Sequence, residues 1–170
     1  MKLLQWGLTL ALTTTTYGWE KVNYNSYSFT NREVSTTARV IARELGNYEL
    51  PHNVRFRVLS DKEYSTLEET LNHHNSTALT IPVRHRKTKE FMGWDIVIRD
   101  NRERNGKYAG GIITLGEAIE RALHEIQHVR NMQESGLLIK EPNRPEGEQK
   151  AIDFEDKMEK KLRQYGIILR

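Results

Sequence analysis

Leu115-Gly116-Glu117-Ala118-Ile119-Glu120-Arg121-Ala122-Leu123-His124-Glu125-Ile126-Gln127-His128 is the stretch from which the fold is read. Leu115, Ala118, Ile119, Ala122, Ile126 and Val129 recur at three- and four-residue intervals. That period makes one apolar side of an amphipathic helix, expected to run from near Leu115 to the stop at Gly136. At 100° per residue, His128 lies about 40° and Glu125 about 100° round from His124. The two His therefore stand one above the other, on the side away from the apolar stripe.

His124-Glu125-Ile126-Gln127-His128 reads H-E-x-x-H. Neutral imidazoles at this spacing can share one Zn²⁺, and the Glu between them can accept a proton from water. In the mechanisms where the spacing recurs, that water attacks a peptide carbonyl. The bland alternative is a solvated helix face shared with Glu117 and Arg121. From this composition the motif arises by chance with a probability of roughly 2%, before a helix is required.

A zinc site of this kind needs a third protein ligand. Glu134 falls where metzincins place their third His, in the frame His124-Glu125-x-x-His128-x-x-Asn131-x-x-Glu134. That geometry requires the helix to stop at Asn131, a residue able to take a left-handed turn. Met132 continues the helical pattern, however, and in an unbroken helix Glu134 points about 120° away from His128. Glu148 ranks above it. Ala151, Phe154, Met158, Leu162 and Tyr165 form the apolar stripe of a last helix, from near Glu146 to Gly166. Glu148 lies within about 60° of that stripe's centre, and an inward carboxylate needs a partner. The competing role for Glu148 is to complement the helix dipole at an N-terminus.

Outward from these helices the chain is easier to place. Thr30-x-x-Glu33 and Ser60-x-x-Glu63 are capping boxes opening two earlier helices. The first has Val34, Ala38, Ile41, Ala42 and Leu45 as its apolar face and ends at Gly46; the second covers roughly residues 61–73. Residues 53–59 alternate as a half-buried strand, and 77–83 form a strand that Pro82 assigns to an edge or an end. Phe91 to Asp100 is a strand with Trp94, Ile96 and Ile98 on one face. After a polar turn containing Asn105-Gly106, Tyr108 to Thr114 is expected to return as a strand. His73-His74, His52 and His85 read as surface residues, and the basic cluster Arg84 to Lys89 as a solvated loop. Asn75-Ser76-Thr77 is a glycosylation acceptor pattern.

Lys2, the apolar run Leu3 to Leu12 and the small residues up to Gly18 match a secretory signal. The expectation is a signal peptide over 1–18, one domain over 19–170, a secreted or periplasmic protein, and no membrane span once the signal is removed. The run is too short to cross a bilayer. The chain has 170 residues, 26 basic and 23 acidic, with a net charge of +3. No Lys/Arg block stands out, which argues against nucleic acid as a partner. With no cysteine, disulfides, thiolate ligands and thiol nucleophiles are excluded.

Glu148-x-x-Ala151-x-x-Phe154 downstream of His124-Glu125-x-x-His128 resembles the gluzincin arrangement, in which a Glu on a second helix completes the site. The compact form is similar to minimal gluzincins and to single-domain peptidase-like proteins of the ImmA/IrrE type. The resemblance spans about residues 108–165, and its motifs are short. It implies a zincin-like α+β fold: a small mixed sheet with packed helices, an active-site helix and a C-terminal helix. It implies a zinc metallopeptidase acting on a peptide or protein, with His124, His128 and Glu148 on Zn²⁺ and Glu125 as general base. Tyr108 to Thr114, with Gly110-Gly111, would be the edge that pairs with extended substrate. Arg130, Tyr108 and Tyr165 are candidate donors to the oxyanion. One departure stands out: many gluzincins carry Asp four residues after the ligand Glu, and this chain has Ile152 there. The outer support of the first His must come from elsewhere. Two other readings are an inactive zincin fold that acts by binding, as a sensor or inhibitor, and a secreted structural domain with a chance motif.

Overall fold

The structure is a computed structural model that describes residues 18–73, 76–100, 113–141 and 144–169. After a 3₁₀ turn at Trp19–Lys21 come α1 (Asn31–Glu44), β1 (Val54–Ser60) and α2 (Asp61–Leu71). They are followed by β2 (Ala78–Arg84), β3 (Phe91–Asp100), α3 (Leu115–Ser135) and α4 (Arg144–Gln164). The class is α+β with a small mixed sheet. The expected signal segment, apart from Gly18, and the expected strand over Tyr108–Thr114, apart from its last two residues, lie outside the described residues. Ile113 is buried and Thr114 caps α3, so neither belongs to a strand. Among the described residues, no helix is long and apolar enough to cross a membrane.

Local chemistry sets the element boundaries. Both expected capping boxes form, with the Thr30 and Ser60 hydroxyls accepting from the N–H groups of Glu33 and Glu63. A third, Thr114 with Glu117, opens α3. Gly136 ends α3 at φ 70°, a left-handed conformation that glycine adopts without steric cost. The helix therefore runs unbroken through Asn131. Helix α4 begins at Arg144, two residues before expectation, with Pro145 in the first turn, where a missing N–H costs nothing.

The strand order is β1-β3-β2, with β1 parallel and β2 antiparallel to β3. On β1, Val54 and Phe56 are buried while Arg55 and Arg57 are exposed, the expected alternation. The central strand β3 is covered on both faces. Trp94, Ile96 and Ile98 join the core, and Asp95, Val97 and Arg99 are buried behind them. Charge on that second face is neutralised locally. Asp95 accepts from Arg55 Nε at 2.8 Å and Nη2 at 3.1 Å, and Arg99 pairs with Asp61 and Glu68.

β2 is an edge strand, as Pro82 implied. Arg99 N donates to Thr77 O at 2.9 Å. By the two-residue alternation of an antiparallel ladder, Ala78, Thr80 and Pro82 then turn their backbone polar groups away from β3. Pro82 thus lacks an N–H only where no sheet partner would use it.

Helix α3 is the hub, touching α1, α4, β2 and β3. Leu115, Ala118, Ile119, Ala122, Ile126 and Val129 enter the core as their period requires. The opposite side is covered too, against expectation: His128 is only 8% exposed, and Gln127, Asn131 and Glu125 are buried. Helix α4 and the segment leading into it meet that side through Glu141, Glu148 and Glu155, while Phe154, Met158 and Leu162 of α4 join the apolar core. Tyr165 leaves the stripe and lies 57% exposed, edge-on to Trp19.

Candidate metal centre

His124, His128 and Glu148 come together as a group that can hold a metal ion, their ligand atoms all within 4.8 Å of one another. Glu148 Oε2 lies 3.4 Å from His124 Nε2, and Oε1 lies 3.7 Å from His128 Nε2. Two ligand atoms each about 2.1 Å from one tetrahedral ion are about 3.4 Å apart, close to both separations between Glu148 and the imidazoles. Helix α3 supplies both imidazoles from successive turns. Helix α4 supplies the carboxylate from its second turn, where the side chain is 45% exposed. Glu134 is not in the group; it is 61% exposed and paired with Arg130 at 2.7 Å. Because α3 continues past Asn131, the metzincin frame cannot form.

The residues that aim the imidazoles were not legible as such in the sequence. His124 Nδ1 lies 3.0 Å from Glu155 Oε2, and His128 Nδ1 lies 2.9 Å from Glu141 Oε2. A carboxylate on Nδ1 holds that nitrogen protonated and leaves Nε2 as the free lone pair, the usual support of a metal-bound His. Both Nε2 atoms face Glu148. Glu155 follows Glu148 by seven residues, about 20° from superposition on a helix, and that spacing is the signal that could have found it. It replaces the support missing at Ile152, which is exposed. Glu141 lies in the α3–α4 connection, where no periodicity points to it. It is fixed by Asn131 Nδ2, which donates to Oε1, while Asn131 Oδ1 accepts from Gln127 Nε2 at 2.7 Å. Asn131, a candidate helix breaker by sequence, instead works from mid-helix to hold this carboxylate.

Glu125 is buried beside the group without joining it. Its Oε2 accepts from Thr80 Oγ1 at 2.7 Å, tying α3 to β2. Burial pushes its carboxyl pKa up, against the pull of His128, Thr80 and His124. For His124, burial works to lower the imidazole pKa, and is outweighed by the hydrogen bond to Glu155 and the charges of Glu125, Glu155 and Glu148, so the net direction is up. Four carboxylates thus surround two imidazoles, a field that concentrates cations.

The group lines a cleft of about 890 Å³. Its floor is α3, one wall is His73 with the start of β2, and the other is Lys140 and the first turns of α4. Of the expected oxyanion donors, Arg130 stacks over Tyr48 outside the cleft, Tyr165 packs on Trp19, and Tyr108 lies outside the described residues. His73, a surface residue by sequence, lines the cleft, and its Nε2 takes a hydrogen bond from Arg144 Nη2 at 2.6 Å. His52 is exposed, and His85 accepts from Thr88 N within the solvated β2–β3 turn. Ser76 bonds Glu68 and Tyr64, while Asn75 lies outside the described residues. Comparisons with protein families, with curated proteins and with solved structures returned no match to this chain.

Proposed function

We propose that this protein is a zinc-dependent metallopeptidase of the zincin type, with a gluzincin ligand set. The observation that carries the reading is the convergence of His124 Nε2, His128 Nε2 and Glu148, with both Nδ1 atoms anchored and Glu125 one residue away. The donor set suits Zn²⁺: two imidazoles and one carboxylate are a known catalytic combination that leaves a fourth position open. A Zn²⁺ ion held there supplies Lewis acidity, bringing the pKa of water toward neutrality and polarising a carbonyl.

The chain's own residues do the rest. Glu125 accepts a proton from the attacking water and delivers it to the departing amine nitrogen as the C–N bond breaks. Burial favours the protonated form of this carboxyl, the form that hands the proton on. Thr80 holds the carboxylate in place from the sheet side. The outward backbone of Ala78, Thr80 and Pro82 offers two N–H and three C=O groups along the cleft wall, and an extended peptide can pair there as an added strand. The segment expected in this role, Tyr108–Thr114, lies outside the described residues apart from its last two.

The test is metal content together with hydrolysis of an unfolded casein-like substrate. Wild type is expected to hold one zinc per chain and to cleave, with activity lost to a chelator and in Glu125→Gln. Zinc-loaded wild type that cleaves nothing in a broad peptide library would favour a binding role for the same fold.

A further inference from the structure

On the peptidase reading, negative charge builds on the carbonyl oxygen as water adds, and a donor aimed at that oxygen accelerates the step. Among the described residues, three cations line the cleft; Lys140 is exposed on the α3–α4 connection, and the two arginines differ in where they point. Arg121 is turned aside, donating from Nη1 to Arg99 O at 2.8 Å. Arg144 stands one helical turn before Glu148, its Nε 4.0 Å from Glu148 Oε1. Its side chain is 66% exposed and reaches across the cleft to His73, so it joins the α4 wall to the α2–β2 wall beside Glu148.

The far end of that tie is poorly satisfied. With Nε2 accepting from Arg144, the neutral His73 ring carries its proton on Nδ1, and Nδ1 is buried with no partner among the described residues. A buried donor left unpaired is a cost. A neutral imidazole is also a weaker acceptor for a guanidinium than an oxygen bearing negative charge. The guanidinium has five N–H donors in a fixed fork, enough to stay beside Glu148 while donating to a new oxygen.

We propose that Arg144 is the donor to the scissile carbonyl oxygen, and that its bond to His73 is a resting tie across the cleft which the substrate replaces. The inference rests on the peptidase reading. Water oxygen adds to the carbonyl carbon, Glu125 carries the proton to the amine nitrogen, the C–N bond breaks, and Arg144 keeps all its protons throughout. The occupant is an extended peptide with a carbonyl over the metal group.

The experiment compares wild type, Arg144→Gln, Arg144→Lys and His73→Ala, all matched for zinc content, with Glu134→Ala as a control outside the cleft. Three quantities are read: kcat and KM on a fluorogenic peptide, affinity for a phosphinic peptide that mimics the tetrahedral state, and the ¹⁵N imidazole signals of His73. Arg144→Gln should lower kcat about 100-fold with little change in KM, and weaken phosphinic peptide binding in parallel. Arg144→Lys should recover part of both. His73→Ala should tighten phosphinic peptide binding, since no tie has to part. In wild type the His73 signals should shift when the phosphinic peptide binds, as they do in Arg144→Gln without it. Equal kcat and equal phosphinic affinity in wild type and Arg144→Gln, or His73 signals that ignore the ligand, would overturn the role of Arg144 alone. Zinc-loaded wild type that neither cleaves nor binds the phosphinic peptide would overturn the peptidase reading and this role together.

Discussion

His124 and His128 each present Nε2 because a carboxylate occupies Nδ1, and the two carboxylates differ in how they are held. Glu155 is carried by a helix, whereas Glu141 depends on the Gln127–Asn131 pair and the connection it sits in. Removing either support frees a ring to rotate, which commonly costs 10–100-fold in metal affinity. Glu155→Ala and Glu141→Ala are therefore expected to lower zinc affinity by about 10- to 100-fold in a competition titration with a chromophoric chelator. Glu148→Ala removes a ligand outright and should lose more than either, while Glu134→Ala, 61% exposed and outside the group, should titrate like wild type. Equal affinity for Glu148→Ala and wild type would sink the ligand assignment. Glu125→Gln keeps size and polarity but cannot accept the proton, so it should retain zinc and fold yet lose about 10²- to 10⁴-fold in peptide hydrolysis.

At the scale of elements, the α3–α4 connection is the part most exposed to small changes. Gly147 leaves room for Glu141: a Cβ there would lie 2.0 Å from Glu141 Oε1. Alanine is the better helix former by about 1 kcal/mol in a helix interior. Gly147→Ala should nevertheless weaken zinc binding, because Glu141 must move off His128; unchanged zinc affinity in the same titration would show that the carboxylate can shift freely. A second tie joins the segment after α1 to α3, where the Tyr48 hydroxyl donates to Gln133 Oε1. Burial pushes the Tyr48 phenol up to about 12, with Arg130 opposing and Glu134 adding to the shift. A folded pKa above the unfolded value means that this contribution is whole below about pH 10 and declines as pH rises through the folded value. Thermal melting between roughly pH 10 and pH 12 should fall less steeply in Tyr48→Phe than in wild type. Identical slopes would place the alkaline sensitivity elsewhere.

Across the whole molecule, the His124, His128 and Glu148 group bridges two helices that also share the apolar core. The apolar contact made by Met158 and Leu162 of α4, both fully buried, sets the distance from which Glu148 and Glu155 reach the imidazoles. Leu162→Ala is expected to destabilise the fold by about 2–5 kcal/mol. An ion that binds only the folded chain adds stability by mass action, about 2.7 kcal/mol at a free concentration one hundred times Kd. Zinc should therefore raise the melting temperature of wild type, a chelator should reverse it, and Glu148→Ala should show little of either. A zinc-induced shift of the same size in Glu148→Ala would mean that the ion is held by other groups.

Most elements were legible because each rests on chemistry within a few residues of itself. Capping boxes at Thr30 and Ser60, the stop at Gly136, the alternation of β1 and the edge position of β2 all follow from short-range backbone requirements and from period. The same holds for the H-E-x-x-H pair, since a helix by itself stacks residues four apart. Glu148 was reachable by angle, because an apolar stripe orients the rest of its helix. What tertiary structure alone decided lies across elements. The second buried face of β3 exists because α2 supplies Asp61 and Glu68 to Arg99. Glu141 and Thr80 meet the site from a connection and from a strand that share no period with α3. His73 and Arg144 are 71 residues apart and meet only because the cleft walls do. Sequence spacing carries side-chain direction within one element, but the distance between elements is set by how their apolar faces pack, and the polar groups that bridge them are placed only by that packing.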